Sequence, residues 1–125
     1  MSPLAWVVLV AAGALGAPAR YLLDAAVQER TQGAFPWGTF VVNVTGSLLF
    51  GFITGLALQH AFPRTPRIVL GTGFCGAYTT FSTFTFETVR LIEEGALNEA
   101  IRNALGTLVA GTGAAALGFA LAAAL

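Results

Sequence analysis

The stretch GAYTTFSTFTFE, residues 76–87, decides how this chain is read. Five hydroxyls (Thr79, Thr80, Ser82, Thr83, Thr85) are set among Phe81, Phe84 and Phe86. The segment is too apolar for a loop, yet too hydroxyl-rich and glycine-flanked for a plain membrane helix. Gly71, Gly73 and Gly76 lead into it. Glycine and threonine are weak helix formers, and threonine hydroxyls offer the backbone alternative hydrogen bonds. Two readings follow: a break over residues 76–80, roughly mid-membrane, or a continuous helix whose hydroxyls bond back to their own carbonyls. A break at that depth survives only where it is buried in protein or lines a polar cavity. It leaves carbonyls suited to a cation on one side and amides suited to an anion on the other.

The rest of the chain sets this segment in a bilayer. Of 125 residues, 56% are hydrophobic and only 10% charged, with a mean hydropathy of +0.77. Soluble domains carry about 25% charged residues. The formal net charge is zero and lysine is absent, so no electrostatic argument points to a nucleic-acid partner. Cys75, the single cysteine, lies in an apolar run and reads as a packing residue with no disulfide partner in the chain.

Measured against the roughly 20 residues needed to cross a bilayer, the apolar runs give four expected spans. They cover residues 4–23, 37–58, 68–91 (with the break near 76–80) and 104–125. The first run competes with a signal peptide, but no basic residue precedes it and it is longer than a signal core. The four spans use nearly the whole chain, so residues 1–125 read as one all-α integral membrane domain. Trp37, after Pro36, suits an interfacial anchor at a helix start. His60, in QHAFPRTPR, reads as a solvated or headgroup-level side chain because no other histidine or cysteine cluster could share a metal with it.

Four spans place Arg64 and Arg67 on the side of both termini, and Arg30, Arg90 and Arg102, with Arg20 near the span end, on the other. The basic-residue bias that orients membrane proteins is then two against three or four. Such a weak bias leaves two possibilities: a single orientation, or insertion both ways with an antiparallel homodimer. Small or polar residues recur every fourth position in the second span (Thr39, Asn43, Ser47, Gly51, Gly55) and the fourth (Asn103, Thr107, Gly111, Ala115). Such stripes allow close helix contact. Packing explains the glycines, whereas an amide such as Asn43 in a lipid setting needs partners.

GAYTTFSTFTFE, GTFVVNVTGSLLFGF in the second span and GAPARYLLD ending the first together resemble the small fluoride channels of the Fluc/CrcB family, over essentially the whole chain. The resemblance implies a dual-topology homodimer of four-span subunits with a broken third helix and two pores between the subunits. It implies a structural sodium ion (Na+) at the dimer centre, held by the backbone carbonyls of Gly76 and Thr79 from each subunit. Carbonyl oxygens suit such a hard cation. The family's pore phenylalanines fall on Phe81 and Phe84, whose ring edges carry partial positive charge. Its pore asparagine falls on Asn43, with Thr39 one turn earlier, and its neighbouring hydroxyls on Ser82 and Thr83. Arg20 matches a vestibule arginine. Asn103 and Thr107 fall on the polar track of the fourth span, where Asn103 departs from the usual hydroxyl. Ala77 replaces a common second glycine. Glu87 reads either as a residue at the vestibule mouth or as a capping or interface residue.

The function so implied is passive electrodiffusion of fluoride out of the cytoplasm across the inner (plasma) membrane, giving fluoride resistance. The partners are fluoride, a second copy of the chain and the lipid bilayer. No nucleotide loop, metal cluster or nucleophile–base set supports an enzyme. Composition and spacing alone reach only a small polar or ionic permeant. Two rivals stand beside the channel: a proton-coupled small multidrug-type transporter, which needs an acidic residue that the first span lacks, and a non-transporting membrane subunit.

Overall fold

A computed structural model describes all 125 residues, and every regular element in it is helical. Helix α1 spans Pro3–Arg30, α2 Trp37–Gln59, α3 Arg64–Ile68, α4 Gly76–Tyr78, α5 Phe81–Glu93 and α6 Leu97–Ala123, with a π-helical segment, Val69–Cys75, between α3 and α4. Helices α1, α2 and α6 are each long and apolar enough to cross a membrane.

The helices outrun their apolar stretches. In α1 the Ser2 hydroxyl accepts from the Ala5 amide at 3.2 Å and Pro3 occupies the first turn, where its missing amide costs nothing. The helix then carries Asp24, Gln28 and Glu29, which the sequence placed in a connection, to Arg30. There the Thr31 hydroxyl donates back to the Val27 carbonyl at 3.0 Å. Likewise α6 begins at Leu97, seven residues before the apolar run, because only residues 94–96 form the turn and Gly95 takes it with φ 78. Polar residues end the lipid-compatible surface without ending the hydrogen-bond ladder.

The most extensive packing is between α2 and α6, and the two stripes read from sequence meet there. A Cβ on Gly51 would collide with the Ala115 backbone, and one on Gly118 with the Leu48 carbonyl. Gly55 lies against Ala122 Cβ at 2.7 Å and the Phe119 carbonyl at 2.9 Å, measured from the place its own Cβ would take. Glycine here allows backbones to touch. Around this seam Val42 and Leu91 are fully buried, while Leu4, Val7 and Leu15 on α1 and Leu105, Leu108 and Val109 on α6 point outward. An apolar exterior around a thin core fits a lipid or partner surface.

The π-helical segment packs on α1. A Cβ on Gly73 would lie 2.9 Å from the Leu9 carbonyl and 3.2 Å from Ala12 Cβ. Seven residues of π-helix is unusual, since most occur as single-turn bulges, often at functional sites. Directly after it, α4 lasts one turn and the chain leaves the helix at Thr79 (φ −78, ψ 160) and Thr80 (φ −147, ψ 120). The break is narrower than the sequence window of 76–80: Gly76 keeps helical angles, φ −63 and ψ −35.

Candidate functional site

The break is held from α2. Asn43 presents its whole side-chain amide to the Thr80 backbone: its Nδ2 donates to the Thr80 carbonyl at 2.9 Å, and the Thr80 amide donates to its Oδ1 at 2.8 Å. Half a turn along α2, the Thr45 hydroxyl donates to the Val41 carbonyl at 2.7 Å. Its one hydrogen is thereby used, so the Tyr78 hydroxyl is the donor in the 2.8 Å contact with Thr45 Oγ1. Tyr78 is buried and stacks on Phe74, ring centroids 5.5 Å apart. Gly46 lies between these anchors, with no room for a Cβ against Thr79 Cγ2 and the Tyr78 ring. Side chains of α2 thus grip both sides of the break.

Downstream, the break becomes the start of α5. Thr80 Oγ1 accepts from the Thr83 amide at 3.1 Å and donates to the Thr83 hydroxyl at 3.1 Å, an N-cap of the ordinary threonine kind. Ser82 Oγ lies 3.3 Å from the same oxygen. Upstream, the Thr79 amide and hydroxyl both donate to the Cys75 carbonyl, at 2.9 and 2.8 Å.

A groove of about 750 Å³ opens beside this arrangement, lined among others by Asn43, Gly76, Thr79, Phe81, Phe84 and Thr107. Phe81 is 79% exposed, and its ring centroid lies 6.0 Å from that of Phe84 at 46°. An added Cβ on Gly76 would meet nothing within 4 Å. A second, smaller cavity of about 130 Å³ lies on the far side of Thr80 and collects Arg20, Asp24, Thr39 and Thr83. Thr80 lines both. Arg20 Nε is buried there without a hydrogen-bond partner in the chain.

The residues singled out by sequence therefore divide into three places. Asn43, Gly76, Thr79, Phe81, Phe84 and Thr107 share the groove, whereas Arg20, Thr39 and Thr83 share the small cavity. Asn103 is fully buried between α5 and α6, donating to Thr88 Oγ1 at 2.8 Å and accepting from the Thr107 hydroxyl at 3.3 Å. Glu87 is 7% exposed and accepts from the Thr39 hydroxyl at 2.6 Å, which ties α5 to α2. His60 is exposed, and its Nε2 lies 2.7 Å from the Ala122 carbonyl at the end of α6.

Thr80, Thr45, Tyr78 and Thr88 were not singled out as site residues. Thr80 carried a signal, since a threonine three residues before Thr83 at the foot of a helix is a ready N-cap. The Thr45–Tyr78 and Thr88–Asn103 bonds join separate elements and leave no local trace.

Comparison with known proteins places this arrangement. The family described as "CrcB-like protein, Camphor Resistance (CrcB)" matches residues 7–119. A Frankia casuarinae protein named "Fluoride-specific ion channel FluC 1" is 52% identical over 122 residues, covering 94% of this chain and 95% of its own length. A Streptomyces avermitilis protein of the same name is 48% identical over 113 residues, covering 90% and 91%. One from Leifsonia xyli subsp. xyli, also so named, is 45% identical over 118 residues, covering 94% and 86%.

Proposed function

The chain belongs to the CrcB-like family, and from that premise we propose that it is a fluoride-selective ion channel, which exports fluoride from the cytoplasm by passive electrodiffusion and so gives fluoride resistance. It is a channel and not an enzyme. The observation that carries the reading is the groove lined by Asn43, Phe81 and Phe84 beside a backbone break.

Fluoride is strongly hydrated, so a path for it must replace water with donors at several weak sites that the ion can leave again. Asn43 uses one Nδ2 hydrogen on Thr80 and keeps a second free. Phenyl edges add partial positive charge without the deep trap of a full cation. Thr107 in the groove, Thr39 and Thr83 in the small cavity and Ser82 beside Thr80 supply hydroxyls to the path, and Arg20 belongs to a vestibule. Hydrogen fluoride enters uncharged and dissociates in a more neutral cytoplasm. The anion then leaves when the membrane potential is inside-negative.

The groove is open along one side, and the exposed Phe81 and the outward apolar residues of α6 need cover. In this reading a second copy in the opposite orientation supplies it. The result is a dual-topology homodimer in the cell's inner membrane, with α3 to α5 forming a fourth, broken span. The resident cation is sodium. The break fits it: the Thr80 amide, four residues after Gly76, goes to Asn43, and no hydrogen bond is made to the Gly76 or Thr79 carbonyl. Two neutral oxygens per chain are too few for a hard cation, and two chains would offer four. When bound, sodium would supply positive charge at the subunit boundary.

Reconstitution tests the reading. Liposomes loaded with potassium fluoride and containing the purified dimer should release fluoride to an electrode once valinomycin removes the charge limit. Intact dimers that release none would contradict it.

A further inference from the structure

We infer that Asn43 and the Thr80 hydroxyl act as substitute acceptors, diverting the two amides that would otherwise occupy the Gly76 and Thr79 carbonyls and so keeping those carbonyls free for the cation. The inference rests on the sodium reading above and adds to it the residues that make the site.

In an α-helix each amide donates to the carbonyl four residues back, and buried backbone groups rarely go unpaired. After the π-helical segment the four-residue spacing is back at Thr79, whose amide reaches Cys75 at 2.9 Å. The next rung would be Thr80 to Gly76. It is missing because the Thr80 amide donates to Asn43 Oδ1 at 2.8 Å. The rung that would occupy Thr79 belongs to the Thr83 amide, and that amide donates to Thr80 Oγ1 at 3.1 Å. The amides are satisfied and the two carbonyls are not.

Asn43 also stabilises the altered path through its other end, since its Nδ2 takes the Thr80 carbonyl at 2.9 Å. A side chain with an acceptor alone would divert the amide, whereas one with neither group would let the helix close. Thr80 works the same way within its own turn: serine would keep the acceptor and valine would remove it. Gly76 is exposed and lines the groove together with Thr79, so a carbonyl left free there is accessible to an ion from outside the subunit.

The test compares N43L and T80V, which remove an acceptor, with N43D and T80S, which keep one. Melting of the detergent-solubilised dimer is measured in sodium and in N-methyl-D-glucamine chloride. The wild type should melt higher in sodium. N43L and T80V should lose that difference, and N43D and T80S should retain it. If the wild type shows the sodium effect and N43L and T80V retain it in full, the inference is overturned while the sodium site stands. A wild type indifferent to the cation overturns the sodium site itself. A second readout needs no cation: the infrared band of an isotope-labelled Gly76 carbonyl should move to lower wavenumber in N43L, as the rung to Thr80 closes. An unchanged band overturns the inference. If N43L does not assemble, a label on Thr79 in T80V reads the equivalent exchange.

Discussion

The Thr39 hydroxyl donates to the Glu87 carboxyl across 2.6 Å, joining α2 to α5 at a point where both side chains are almost lost from solvent. The two residues are 48 apart in sequence. Leaving a buried acceptor without its donor costs about 1–3 kcal/mol. T39V should therefore destabilise the folded protein by that amount in detergent-monitored unfolding. E87Q, which keeps an oxygen for the hydroxyl to meet, should cost clearly less. Equal losses in the two variants would show that the contact is not held by this hydrogen bond.

Phe81 and Phe84 line the groove. Isoleucine preserves apolar bulk and removes the electropositive ring edge. F81I and F84I should each lower fluoride efflux at least tenfold, equivalent to about 1.4 kcal/mol, while size-exclusion profiles of the purified protein stay unchanged. Full efflux from both variants would remove the phenylalanines from the path.

The α2–α6 seam separates two kinds of glycine. Gly118 has no space for a Cβ beside the Leu48 carbonyl and the Phe52 amide, whereas Gly113 has nothing within 4 Å. G118A should therefore destabilise by about 1–3 kcal/mol, the usual cost of forcing extra bulk into a packed contact. G113A should be neutral or slightly stabilising, because alanine is the better helix former by about 1 kcal/mol. Thermal melts of the two proteins side by side decide this.

Tyr78 offers a milder probe of the grip on the break. Y78F deletes only the hydroxyl that donates to Thr45, which should cost about 0.5–1.5 kcal/mol of stability. The ring would keep its stacking on Phe74. Efflux should change little, since the Asn43 bonds to Thr80 remain.

The long helices α1, α2 and α6 were legible because twenty apolar residues in a row admit few other structures. Their ends were not, since Asp24 to Arg30 and residues 97–103 continue a helix that hydropathy alone would stop. The glycines and threonines of residues 71–80 marked a weak place in the third segment. Its exact position, at Thr79 and Thr80, depends on a hydrogen bond to a residue 37 positions away. The partner of Glu87 was hidden for a related reason: nearness to a span end says nothing about which helix face a residue occupies, and that partner is in α2. The π-helical turn had no sequence signal beyond Gly71 and Gly73, whose meaning comes from the contacts of Leu9, Ala12 and Phe50.

The most direct measurement is the reversal potential of the purified protein in a planar bilayer with fluoride as the permeant anion. A tenfold fluoride gradient should set it close to the fluoride equilibrium value, about 59 mV in magnitude, with no proton gradient required. Replacing fluoride by chloride should abolish the current. A reversal potential that follows the cation, or transport that appears only with an imposed proton gradient, would contradict a passive fluoride channel.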